Sequence, residues 1–114
     1  MNLANNWYIY IIKATDSRLY TGVTTDIKRR WFEHSNSTGK SKKGAKFFWG
    51  RKPESLLFVL KCENRSTACK EETAIKKLKR SEKLSLIDSS RNQISRYSEL
   101  SELSGLSEIR LEKA

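Results

Sequence analysis

The sequence has one histidine, one proline, two cysteines and no apolar run longer than the six residues "WYIYII" from Trp7 to Ile12. Each shortage excludes a class of protein. Six apolar residues cannot cross a bilayer, which takes about 20 as a helix. The opening "MNLANNW" has neither the basic nor the apolar region of a secretory signal, so a soluble, cytoplasmic protein is expected. Cys62 and Cys69 fall outside any CxxC spacing and read as reduced, half-buried thiols. A single histidine, His34, makes a structural zinc site improbable. Acidic residues are also scarce: 13 Asp and Glu stand against 23 Lys and Arg.

What is present is therefore positive charge, +10 net with a pI near 9.8, and so large an excess of one sign calls for a polyanionic partner. Nucleic acid leads, because a membrane surface would require a basic amphipathic helix with a bulky apolar face. Residues 1–87 hold 19 Lys and Arg against 8 Asp and Glu, whereas residues 88–114 hold 4 against 5. With 114 residues, one domain is expected over 1–87. Residues 88–114, rich in Ser, Leu and Glu, read as a weakly helical or disordered appendage.

"WYIYIIK" (Trp7 to Lys13) is aromatic and β-branched and predicts a strand. "ATDSR" reads as a turn, and "LYTGVT" (Leu19 to Thr24) as the returning strand of a hairpin. Alternation lets Tyr10 and Tyr20 share a face, subject to a register that sequence does not fix. Thr25 or Asp26 then caps a helix anchored by Ile27 and Trp31, on which Arg30 and His34 sit four residues apart and so lie one above the other. "STGKSKKGAK" reads as a basic loop, Ser55 to Glu63 as a third strand, and Ser66 or Thr67 to about Leu84 as a second helix. That helix should turn Ala68, Ile75 and Leu78 inward, with Lys76, Lys79 and Arg80 on its basic outer side.

The order is β-β-α-β-α, an α+β arrangement. "YIY" (Tyr8 to Tyr10), "YTG" (Tyr20 to Gly22), Arg30 eight residues beyond that glycine, His34, and Glu72 in "EETAIK" resemble the GIY-YIG nuclease superfamily, closest to its small single-domain bacterial members. The likeness spans residue 7 to about 87. It implies a small three-stranded antiparallel sheet flanked by helices, and an endonuclease that cleaves phosphodiester bonds with one divalent metal, usually Mg2+ (or Mn2+). By position, Tyr10 takes the place of the proposed general base and Tyr20 that of the second tyrosine. Arg30 matches the arginine that stabilises the phosphorane, His34 the accompanying histidine, and Glu72 the carboxylate metal ligand.

Chemistry accounts for these residue types. Phosphodiester hydrolysis concentrates negative charge on oxygens, and a guanidinium meets it with a planar fork that Lys28 lacks. Magnesium accepts one carboxylate beside waters and substrate phosphate. Tyrosine, with a reference pKa of about 10, needs nearby positive charge to act as a base. Helical periodicity sets Glu71 nearer the stripe of Ile75 and Leu78, whereas the resemblance selects Glu72. The sequence departs from the family pattern at Tyr8, Thr21 and Val23, and Lys46 is a candidate replacement for a lysine some members carry at position 23.

Taken singly, the two tyrosines would be strand core, His34 a helix-end residue, Arg30 part of a solvated charge run and Glu72 a partner of Lys76. Order and spacing together favour the site. Lys40, Lys42, Lys43, Lys46, Arg51, Lys76, Lys79 and Arg80 are the expected nucleic-acid contacts, with DNA ahead of RNA, and Trp49 is placed to stack on a base or to pack. The competing reading is a non-catalytic nucleic-acid-binding module that keeps the fold. A structural basic protein of a ribonucleoprotein explains the charge and leaves the site unexplained.

Overall fold

The aromatic and β-branched residues of Trp7–Ala14 form β1, the central strand of a three-stranded antiparallel sheet. The computed structural model describes residues 6–36 and 46–100. Strand β2 (Leu19–Thr24) returns through a turn in which Ser17 takes a φ of 72° and the Asp16 carboxylate accepts from the Arg18 amide. Strand β3 (Pro53–Cys62) lies on the far side of β1, giving the order β2-β1-β3. Helix α1 (Ile27–Ser35) starts where the Asp26 side chain accepts from the Arg29 amide, the expected cap.

The α+β class and the β-β-α-β-α order stand, with one correction. The expected second helix is two, α2 (Arg65–Lys76) and α3 (Arg80–Ile87). Lys79 is extended between them, and Glu82 accepts from its amide at 2.8 Å to start α3. The break re-aims the chain so that Leu78, Leu86 and Ile87 all pack against the apolar cluster that holds Ile75.

Strand alternation divides the core into two. Ile9 and Ile11 point into a cluster with Phe58, Cys62, Ala68 and Ile75, while Tyr10, Ile12 and Ala14 point into one with Ile27, Phe48, Leu56 and Val59. Leu56 and Phe58 reach opposite faces because a register shift opposite Ile11 and Ile12 leaves Leu57 without a partner on β1.

Residues 88–100 are not an appendage. Ile94 and Leu100 are buried in the Tyr10 cluster. The outer edge of β3 is closed by side chains of the same segment. Asn92 Oδ1 accepts from the Val59 amide at 3.2 Å, Asn92 Nδ2 donates to Leu57 O at 2.8 Å, and Gln93 Oε1 accepts from the Lys61 amide at 3.0 Å. An exposed strand edge is a template for unwanted pairing, and these amides occupy it. The expected boundary at 87/88 therefore cuts through packed structure, and only residues 101–114 of that expectation lie outside the described residues. No described helix is long and apolar enough to cross a membrane.

Candidate active site

The hairpin register pairs Tyr10 with Gly22 and Ile12 with Tyr20, which sets the two tyrosines diagonally on one face, ring centroids 6.1 Å apart. Glycine at 22 is a steric requirement. A Cβ there would lie 2.5 Å from the Tyr10 hydroxyl oxygen and 2.7 Å from its ring carbon Cζ. The close approach that forbids a side chain at this position is that of the Tyr10 ring.

Helix α1 crosses the same face and supplies the next two groups. His34 Nε2 and the Tyr10 hydroxyl form a buried hydrogen bond at 2.9 Å. Arg30, one turn earlier, is partly buried and is held by Glu33, Nη1 to Oε1 at 2.8 Å. Phe47 and Phe48, in a short 3-10 turn, close the pair from the side: Phe48 stacks on His34 at 4.3 Å and Phe47 on Tyr20 at 5.1 Å. The sequence reading assigned no role to these two phenylalanines or to Glu33. The i, i+3 spacing of Arg30 and Glu33 was the available signal for the latter.

Burial sets the charge state. Desolvation pushes the Tyr10 phenol above its ordinary range, with the Tyr20 hydroxyl adding to it; Arg30 acts in the opposite direction and does not overcome burial. The expected arginine is in place, yet the phenol remains protonated in the free protein. Burial and then the Arg30 charge lower His34 to about 3, so the imidazole is neutral at physiological pH. Arg30 itself is raised: burial lowers it, but Glu33 and the two tyrosines outweigh that effect and keep it cationic. The Arg30 charge acts on the Tyr10 hydroxyl, whose hydrogen-bond partner is His34 Nε2.

The two glutamates of α2 separate. Glu72 contributes to the electrostatic field at Tyr10 and pairs with Lys76 at 3.3 Å. Glu71 pairs with Arg91 at 3.1 Å and acts on Cys62, in the other cluster. It is the Glu72 charge that acts on Tyr10, raising its phenol. Among the described residues, no three His, Cys, Asp or Glu side chains gather as a metal cage.

The expected phosphate contacts divide in the same way. Lys40, Lys42 and Lys43 lie outside the described residues. Lys76, Lys79 and Arg80 are exposed, Arg80 also donating to Ser17 O at 2.8 Å. Lys46 is exposed with its Nζ 5.7 Å from the Trp49 ring centroid. Arg51 is an internal clamp: it donates to Asp16 Oδ2 and to Phe47 O, each at 2.7 Å, and lies over the Phe47 ring. This engagement is a structural role that its sequence neighbourhood did not reveal.

A sheet of this order, two tyrosines on one face and an arginine and histidine on the crossing helix define a nuclease-type catalytic domain, and the chain belongs to the GIY-YIG family, whose model, described as the GIY-YIG catalytic domain, matches residues 6–85. Within that family it is similar to UPF0213 proteins. It is 42% identical over 84 residues to UPF0213 protein DP2720 of Desulfotalea psychrophila, covering 74% of this chain and 73% of that one. It is 46% identical over 81 residues to UPF0213 protein OB0043 of Oceanobacillus iheyensis, covering 71% and 88%. A solution NMR structure of the UPF0213 protein BH0048 from Bacillus halodurans matches at 33% identity and a TM-score of 0.48, covering 84% of this chain and 97% of that one.

Proposed function

We propose that the protein is a metal-dependent endonuclease that hydrolyses phosphodiester bonds in nucleic acid, DNA before RNA, with structure selectivity or weak sequence specificity. The observation that carries this reading is the convergence of Tyr10, Tyr20, Arg30 and His34 on one sheet face, with the Glu72 charge felt at the Tyr10 hydroxyl.

The donor set fits magnesium or manganese held by Glu72. The carboxylate is partly buried, and its tie to Lys76, whose side chain is exposed, is of small worth and can yield to a divalent ion. One carboxylate is enough for an ion that keeps its waters and binds substrate phosphate. When bound, such an ion supplies charge neutralisation at the phosphate and lowers the pKa of water.

The chain's own residues do the rest. Arg30, braced by Glu33, presents fixed donors to the nonbridging oxygens as their charge grows. Tyr10, hydrogen-bonded to His34 Nε2 at 2.9 Å, is the group positioned to take the proton of the attacking water; it can do so only as the phenolate, its own proton lost to solvent, a form that the Arg30 charge and a bound divalent ion would favour. Tyr20, packed between His34 and Phe47, limits the approach of solvent to the pair. Exposed Lys76, Lys79 and Arg80 hold the phosphate backbone, and their contribution weakens with salt.

The test is incubation of the purified protein with branched, nicked, single-stranded and duplex DNA and with RNA, in magnesium and in chelator, beside Glu72→Gln. Cleavage that requires magnesium and disappears in Glu72→Gln supports the reading. Cleavage undiminished in that variant removes Glu72 as the ligand, and salt-sensitive binding without cleavage identifies a binding module.

A further inference from the structure

A second feature lies beside this site and takes no part in the chemistry just described. A half-open cleft of about 190 Å³ is walled by the rings of Tyr8 and Tyr97 and by Ile27 and Leu100, and its polar lining is Thr25, Asp26, Lys28 and Glu99. The two rings meet edge to face, centroids 5.8 Å apart and planes at 89°. The volume corresponds to roughly six waters of the bulk liquid, the scale of one planar heterocycle and too small for a base pair.

Two elements set the distance from cleft to site. Tyr8 precedes Tyr10 by two residues on the same face of β1, about 7 Å along the strand. Ile27 precedes Arg30 by three on α1, about 4.5 Å along the axis. Both offsets are of the order of one nucleotide step. A strand whose phosphate lies at Arg30 therefore brings a neighbouring base to the cleft. Two carboxylates against the one ammonium of Lys28 leave the lining net negative, which argues against a phosphate there, and one oxygen of Asp26 is already committed to capping α1. Carboxylates accept hydrogen bonds, so they favour a base edge that donates, as cytosine does through its exocyclic amine.

We propose that this cleft binds a single unpaired nucleobase bearing an exocyclic amino group, next to the phosphate held at Arg30. The inference rests on the nuclease reading for the placement of that phosphate. It makes an unpaired nucleotide beside the cut part of the substrate, because a base held in a duplex cannot enter. Tyr8, where the family pattern has glycine, then supplies a wall of the base site.

The probes are two DNA duplexes with identical double-stranded ends and a single-stranded arm of ten dC or of ten dU, binding measured by fluorescence anisotropy in chelator at one salt concentration. The two bases have the same ring size; cytosine offers a two-hydrogen amine beside an unprotonated N3, and uracil a single N3–H flanked by two carbonyls that repel a carboxylate. The wild type is expected to bind the dC arm at least about fivefold more tightly. The double variant Asp26→Asn, Glu99→Gln keeps the helix cap, since asparagine caps as well as aspartate. Its amides both donate and accept, so the preference for dC is expected to vanish. Equal binding of both arms by the wild type, a preference that survives in the double variant, or no binding to either arm overturns the proposal. The same duplexes in magnesium report the nuclease separately. Cleavage without base preference overturns the cleft alone, and dC preference in binding without cleavage overturns the nuclease and leaves the cleft.

Discussion

On one face of β1, Ile9 and Ile11 meet Phe58, Cys62, Ala68 and Ile75, all of them closed to solvent; on the other, Tyr10 meets Tyr20, Arg30 and His34. The strand is the same and the physics differs. The first face is apolar burial, which stabilises in proportion to area removed from water. The second buries a phenol and an imidazole against each other, an arrangement that is costly unless each polar atom finds a partner. Period-two alternation lets one strand carry a wholly apolar face and, on the other, set the proposed site into a second apolar cluster, where Phe47, Phe48 and Tyr20 pack around the polar pair.

That separation can be broken or sharpened by mutation. Arg30→Ala, on the polar face, is expected to lower the cleavage rate by about 10²–10³-fold while the melting temperature changes little, because the side chain is partly exposed; single-turnover cleavage and thermal melts check both. Ile11→Ala, on the apolar face, is expected to cost about 2–4 kcal/mol in urea unfolding and to leave cleavage per folded molecule unchanged. Exchange of these two outcomes would end the division of labour.

The pH dependence of stability probes the polar face alone. His34 is lowered in the folded state to about 3, so below its unfolded value near 6.5 the unfolded chain binds the extra proton. Its contribution is complete above pH 6.5 and is lost as pH falls towards 3. Tyr10, raised in the fold, gives a contribution present below pH 10 and lost above it. Melting temperature against pH should therefore fall on both sides, and His34→Gln should flatten the acid limb. The smallest effect returns to the apolar face. The Thr21 hydroxyl is buried with no hydrogen-bond partner among the described residues, so Thr21→Val is expected to stabilise by about 1 kcal/mol in the same urea experiment.

The architecture was legible where a period carried it. Aromatic and β-branched residues in "WYIYII" and "LYTGVT" mark the hairpin, Thr25 or Asp26 marks a cap, and i, i+4 spacing stacks Arg30 over His34. The convergence of Tyr10 with Tyr20 needed a register, and that comes from pairing across strands. Less legible were features that rest on long-range contact. The Asn92 and Gln93 clamp on β3 joins residues more than 30 positions apart, from a segment whose serine-rich composition reads as tail. The break at Lys79 has no Gly or Pro to announce it and follows from packing Leu86 and Ile87. The sequence also places positive charge near Tyr10 without telling how deeply the phenol is buried, and burial decides its protonation.

Tyr10→Phe tests the central claim most directly, because it removes one oxygen and keeps the ring that packs the face. With the variant shown to be folded by circular dichroism at the assay temperature, magnesium-dependent cleavage under single turnover is predicted to fall at least a hundredfold. Cleavage at the wild-type rate would contradict the assignment of this face as a phosphodiesterase site.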